Sequence, residues 1–185
     1  MKTSLESLRM LLMMTLLTGL LYPALVTLLG QGLFPGPSRG SLIVRDGMVI
    51  GSRLLAQKFS RPGYFQPRPS AVDYGTVPSG ASQLGPASST LQDRVAERRQ
   101  NWQQSNPGST DIPPDMRSAS GSGLDPHLTP AAARQQVLRI ARIRGLEPSR
   151  IEALINTRIE GPDVGVFGQE RVNVLMLNLE LDTLK

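Results

Sequence analysis

The chain has no cysteine, a single histidine and a single tryptophan, and only 4% of its 185 residues are aromatic. Without cysteine there is neither a disulfide framework nor a thiolate metal site. With one histidine, His127, any catalytic triad or imidazole metal centre has to use it. Asp125 and Ser122 lie too near it in sequence to form a triad as they stand, and scattered carboxylates do not make a metal-ligand set around one histidine. No paired-carboxylate constellation stands out either. On its chemistry the chain is not a self-sufficient enzyme.

Charge is missing from one long stretch. Met10 to Leu29 is twenty residues without a single charge. A helix of that length spans about 30 Å, the hydrocarbon thickness of a bilayer, and backbone amides in lipid must bond internally. The run exceeds a signal-peptide core, and Gly30-Gln31-Gly32-Leu33-Phe34-Pro35 contains no Ala-x-Ala, so an uncleaved anchor is expected. Lys2 and Arg9 flank its start and hold that end in the cytoplasm. The expected organisation is a cytoplasmic tail (1–9), a transmembrane helix (10–30), a linker (31–40) and an extracytoplasmic α+β domain (41–185). Thr15, Thr18, Gly19 and Thr27 are the small or hydroxylated residues that pack helices in lipid, and Pro23 should bend the helix near Tyr22.

The remainder is rich in glycine and proline, which predicts a loop-rich domain with a small sheet and about three helices. The whole chain's net charge of +5 is spread along it. A basic balance suits anionic lipid, nucleic acid or an acidic protein surface; outside the cytoplasm, nucleic acid drops out. Leu42-Ile43-Val44 and Met48-Val49-Ile50 flank Asp46-Gly47, a hairpin signal. Phe59 to Pro86 is too proline-rich for a regular ladder, yet it holds Tyr64, Phe65 and Tyr74, so it reads as an ordered loop. Tyr64 and Phe65 either plug the domain's own core or serve a functional surface.

Ser88 or Ser89 caps a helix through Gln104, with Leu91, Val95 and Trp102 on one side. Thr129 is an N-cap, Pro130 opens a helix over 131–144, and Gly145 stops it. Ala133, Val137, Ile140 and Ala141 form its apolar face; Gln135, Arg139 and Arg142 form a face that is either solvated or an acceptor for anions. Pro148 to Ile159 is a further helix. Arg171 to Asp182 alternates, Leu175, Leu177, Leu179 and Leu181 against Met176, Asn178 and Glu180, which predicts one half-buried central strand. Gly121-Ser122-Gly123 before a helix suggests a phosphate cradle, but it lacks the Lys-Ser/Thr of a P-loop and carries Asp125; a turn delivering the chain to its cap is the better reading.

Several runs together resemble one family, the C subunit of the Kdp potassium-transporting P-type ATPase. They are Gly51-Ser52, Gln57-Lys58-Phe59, Tyr64-Phe65 with Arg68-Pro69-Ser70-Ala71, Ser79-Gly80 through Leu84-Gly85-Pro86, Ala119 through His127, Gln136-Val137 with Arg139, and Arg171-Val172-Asn173-Val174-Leu175 with Leu177-Asn178. Two departures stand out: Gln83 replaces the family's usual asparagine, and Met116-Arg117-Ser118 replaces a more apolar, threonine-containing run.

The resemblance implies a non-catalytic accessory subunit of a potassium uptake pump in the bacterial inner membrane. Its implied partners are a channel-like potassium-binding subunit, a P-type ATP-hydrolysing subunit, a small single-helix subunit and membrane lipid. ATP and potassium act through the complex, with no cofactor firmly bound here. The phosphorylated Asp-Lys-Thr-Gly motif is absent, as expected if a partner carries it. The family is also described as a catalytic chaperone raising ATP affinity, with a nucleotide-contacting glutamine that maps to Gln136; an external head stands against that role. Candidate partner contacts lie in the matching loops: Tyr64, Phe65 and Arg68, then Gly121, Gly123, Asp125 and His127. The rival reading is a membrane-anchored extracytoplasmic binding module with no transport role.

Overall fold

A computed structural model describes residues 2–109 and 111–184. The chain divides into two compact units, one ending at Ser52 and the other beginning at Arg53.

The first unit is a 32-residue apolar helix, Lys2–Leu33, followed by a short turn and a hairpin. At 1.5 Å per residue the helix measures about 48 Å, longer than the hydrocarbon core needs. It comprises α1 (Lys2–Leu16), one π-helical turn (Leu17–Leu21) and α2 (Tyr22–Leu33). Pro23 cannot donate a backbone hydrogen bond and crowds the carbonyl one turn earlier. The wider turn ahead of it, closed by Tyr22 N–H donating to the Leu17 carbonyl, is how the helix accommodates the proline. Thr18 turns its hydroxyl inward, donating to the Met14 carbonyl at 2.7 Å.

A short helix, α3 (Pro35–Ser38), leads to β1 (Leu42–Arg45) and β2 (Met48–Ser52), paired antiparallel. Asp46 (φ 52°) and Gly47 (φ 78°) both adopt left-handed backbone, the type I′ geometry expected of Asp-Gly.

The second unit is α+β. From Arg53 to Ser88 the chain forms neither helix nor strand, then come α4 (Ser89–Ser105), α5 (Pro114–Arg117), β3 (His127–Leu128), α6 (Pro130–Arg134), α7 (Val137–Arg144), α8 (Pro148–Thr157), β4 (Ile159–Glu160), β5 (Arg171–Asn173) and α9 (Val174–Leu181). The three short strands form an antiparallel sheet in the order β3-β5-β4. Phe65, Leu128, Ile140, Ile151, Ile155, Val172 and Leu177 fill one core between the sheet and helices α6 to α9.

Four expectations need correction. Arg171 to Asp182 is not one strand: β5 is central in the sheet but ends at Asn173, and α9 begins at once. Asn173 caps that helix, its side chain accepting from Met176 N–H at 3.2 Å. Val174, Leu177, Asn178 and Leu181 are buried, a three-and-four spacing that alternation in the sequence concealed.

The helix expected over 131–144 is two. Thr129 caps α6 through Ala132 N–H and Gly145 ends α7 at φ 66°, as expected. Between them the backbone tightens, with Gln136 N–H bonding back three residues to the Ala133 carbonyl at 3.0 Å. Finally, Ser88 occupies the N-cap position of α4 without a side-chain capping bond, and α8 stops at Thr157, leaving Ile159 to β4.

Candidate functional site

The proline-rich loop is ordered because buried side-chain amides hold its backbone. Phe65 N–H donates to Asn178 Oδ1 at 2.8 Å, and Asn178 Nδ2 donates back to the Phe65 carbonyl at 3.0 Å. The next residue is held the same way: Gln66 N–H donates to Gln136 Oε1 at 2.8 Å, and Gln136 Nε2 donates to the Gln66 carbonyl at 3.1 Å. Prolines at 62, 67 and 69 deny the loop a strand partner; two carboxamides, from α9 and from the α6–α7 junction, supply the missing ladder.

Arg139 completes the clamp. It is buried, contrary to its expected place on a solvated or anion-accepting face. Its guanidinium donates to the carbonyls of Pro62 and Tyr64, to Asn106 Oδ1 at 2.9 Å and to Gln136 Oε1 at 2.7 Å. Burial pulls its pKa down to about 10. Neutral carbonyl and amide oxygens, rather than a carboxylate, satisfy this cation among the described residues.

The candidate contacts divide between core and surface. Phe65 has 0% exposure and is a core plug. Tyr64 is half-buried beside it: the Arg144 guanidinium lies 4.6 Å from its ring centroid, and its hydroxyl donates to Asp182 at 2.9 Å. Gln136 also has 0% exposure, with both amide atoms committed.

The Gly-Ser-Gly segment is packed onto the proline-rich loop. Ser120 N–H donates to the Pro69 carbonyl at 3.0 Å. Gly123 sits at φ 71°, and a Cβ there would come within 2.8 Å of the Gly80 carbonyl and of Val72. Gly121, by contrast, has open space around it. A side chain is therefore excluded at one glycine only. Beyond it, Asp125 accepts from Arg68 Nη1 at 2.9 Å and from His127 N–H at 3.0 Å. Burial opposes ionisation of Asp125, but the His127 hydrogen bonds and Arg68 outweigh it and hold its carboxyl below the usual range.

Arg68, Asp125 and His127 meet in a polar cleft of about 320 Å³, which Asp115, Thr129 and Arg171 also line. Asp115 Oδ2 accepts from Thr129 N–H at 2.7 Å. His127 lies 3.6 Å from Asp125 and 3.9 Å from Glu160, and Arg68 Nε is buried without a partner. No group of three or more histidine and carboxylate side chains converges as a metal site among the described residues. The cleft presents charge and hydrogen-bonding groups suited to a polar contact.

Sequence reasoning brought Arg68, Asp125 and His127 forward, and they do converge. It missed Asn178 and Arg139 as buried contacts: Arg139 read as part of a polar helix face, and Asn178 as the outer face of a strand.

The family model described as "K+-transporting ATPase, c chain" matches residues 4–183. The potassium-transporting ATPase KdpC subunit of Methylococcus capsulatus is 48% identical over 183 residues, covering 97% of this chain and 96% of that protein. KdpC subunits of Cereibacter sphaeroides (48% over 172 residues, 93% of this chain and 92% of the relative) and Pectobacterium atrosepticum (46% over 180 residues, 96% and 94%) are similarly close. Such matches span both units, and the chain belongs to the KdpC family, the c chain of K+-transporting ATPases.

Proposed function

We propose that the chain is the accessory subunit of a potassium-transporting ATPase, tethered by its N-terminal helix with its C-terminal domain outside the cytoplasm. The observation that carries the subunit role is the family match over residues 4–183. The orientation is supported by Lys2 and Arg9 at the start of an otherwise uncharged run, charges that the cytoplasmic side retains. The membrane is the bacterial inner membrane.

In this reading ATP hydrolysis and ion selection belong to partner subunits: a P-type subunit, a channel-like subunit and a small single-helix subunit. The domain's work is assembly, and its ordered loop and polar cleft provide the contact surface. Gln136 acts as a structural clamp rather than as a nucleotide contact; its full burial and committed amide support this. An external domain would in any case not meet cytosolic nucleotide.

A single cysteine tests the orientation, since the chain has none of its own. Gln104 is exposed in α4, so Gln104→Cys is treated in intact cells with a membrane-impermeant thiol reagent. Labelling is expected. Protection in intact cells, with labelling once the membrane is opened, would place the domain inside and overturn the orientation.

A further inference from the structure

Helix α4 turns a mixed stripe toward the proline-rich loop. Arg98, Asn101, Trp102 and Ser105 recur at the three- and four-residue spacing of one helix face, and all four line a recess of about 370 Å³. Phe59, Pro62 and Pro69 of the loop line it too, with Ile112 and Met116 from the chain after α4 and Arg139 from α7. Its volume is that of a small-molecule site.

The charge in this recess is one-sided. Arg98 and Arg139 line it, and no aspartate or glutamate does. Neither arginine forms an ion pair among the described residues. Arg98 Nη1 donates to the Arg117 carbonyl at 3.1 Å, and Arg139 is held by the neutral oxygens described above. Asp111, the acid beside Ile112, is already taken by Arg99 at 2.8 Å and Arg117 at 3.4 Å. Burial lowers the pKa of both guanidiniums; Arg94 adds to the effect on Arg98, while Glu97 and Tyr74 oppose it.

Arg139 is 4% exposed. A guanidinium has five N–H donors, and Arg139 makes four hydrogen bonds, so at least one N–H is uncommitted. Hydrogen bonds to neutral acceptors satisfy donors without cancelling charge, and an anion beside a desolvated cation does cancel it.

The walls narrow the class of anion. Phe59, Ile112 and Met116 are apolar, and Trp102 has its indole N–H committed to Ser109 Oγ at 2.9 Å, so ring surface is what it offers. Two arginines, without a lining carboxylate to hold a divalent cation, match a single carboxylate with an apolar body rather than a polyphosphate carrying its metal.

We propose that the recess between α4 and the proline-rich loop binds a small organic acid, its carboxylate facing Arg98 and Arg139 and its apolar body against Phe59, Trp102, Ile112 and Met116. The site lies wholly within the second unit, goes beyond the assembly role and does not depend on it.

Trp102 is the chain's only tryptophan, so its emission reports on this recess. The full chain in a non-ionic detergent is titrated with benzoate and, separately, with benzamide, its neutral counterpart. Benzoate is expected to give a saturating change with half-saturation at about 1 mM or below, and benzamide to bind at least about tenfold more weakly. Arg98→Gln should keep the thermal midpoint and weaken benzoate at least about tenfold; should that variant unfold, the comparison of the two compounds on the parent chain decides alone. A linear response without saturation, equal binding of benzoate and benzamide, or a folded Arg98→Gln chain with the parent's affinity would overturn the proposal. So would displacement of benzoate by tripolyphosphate more readily than by phenylacetate. Equilibrium dialysis of labelled benzoate against the assembled ATPase identifies the source of the carboxylate. Binding that Arg98→Gln abolishes is expected; its absence from the parent complex would hand the recess to a carboxylate of a neighbouring subunit and overturn the free acid.

Discussion

Asn178 and Phe65, 113 residues apart, exchange two hydrogen bonds as adjacent strands would, with a side-chain amide standing in for one strand. Both groups are buried, so truncating the amide orphans a backbone N–H and a carbonyl together. Asn178→Ala is expected to lower stability by about 2–3 kcal/mol. The check is thermal unfolding of the full chain in detergent, and a change within a few tenths of a kcal/mol would mean that water replaces the amide.

Gln136 offers a sharper comparison because Arg139 lies beside it. Gln136→Ala removes an acceptor from both Gln66 N–H and Arg139, freeing the loop that contains Tyr64 and Phe65. Limited chymotrypsin digestion should cut there at least about tenfold faster, reflecting a loss near 1.4 kcal/mol in loop closure. Gln136→Glu keeps the acceptor and gives Arg139 a counter-charge, so its digestion rate should stay closer to the parent's. If Glu and Ala behave alike, the hydrogen-bond account of this clamp is wrong.

The two glycines of Gly-Ser-Gly should respond differently to one methyl group. Gly123→Ala forces a Cβ into the Gly80 carbonyl and Val72 at φ 71° and should cost about 2–3 kcal/mol. Gly121→Ala meets nothing within 4 Å and should leave the thermal midpoint where it was. Equal effects would show that the segment is held less closely than described.

Acid should weaken the join between the proline-rich loop and β3. The Asp125 carboxyl is held below its ordinary range in the folded chain. A depressed pKa contributes stability above the unfolded value of about 3.9, and that contribution fades as pH falls through the folded value. Arg68→Gln should therefore destabilise the protein near neutrality, with the gap to the parent closing below about pH 4. Thermal midpoints of both proteins across that range decide it; a gap that persists in acid would assign Arg68 a purely steric role.

Gln83, read in the sequence as a departure from the family's usual asparagine, has its backbone at φ 57°. Asparagine tolerates the left-handed region better than glutamine, so Gln83→Asn should raise stability by up to about 1 kcal/mol. A lower thermal midpoint would show instead that the longer side chain earns its place. The other departure is absorbed locally: Met116 is buried in the core and Arg117 pairs with Asp111 at 3.4 Å.

Local chemistry determined much of this protein from its sequence. An uncharged run becomes a helix, Asp46-Gly47 becomes a type I′ turn, and Thr129-Pro130 with Gly145 bounds a helical region, because each depends only on neighbours in the chain. The joint motif pattern likewise identified the family. Tertiary structure decided the rest. Leucines at alternate positions fit a strand or a helix equally well, and only the cap at Asn173 and the burial of Leu177, Asn178 and Leu181 against the core chose α9. The same holds for Arg139 and Gln136. As sequence Arg139 read as part of a polar helix face and Gln136 as a nucleotide contact implied by the resemblance, and they became a buried clamp because the strandless loop at Phe65 and Gln66 had backbone groups that needed partners.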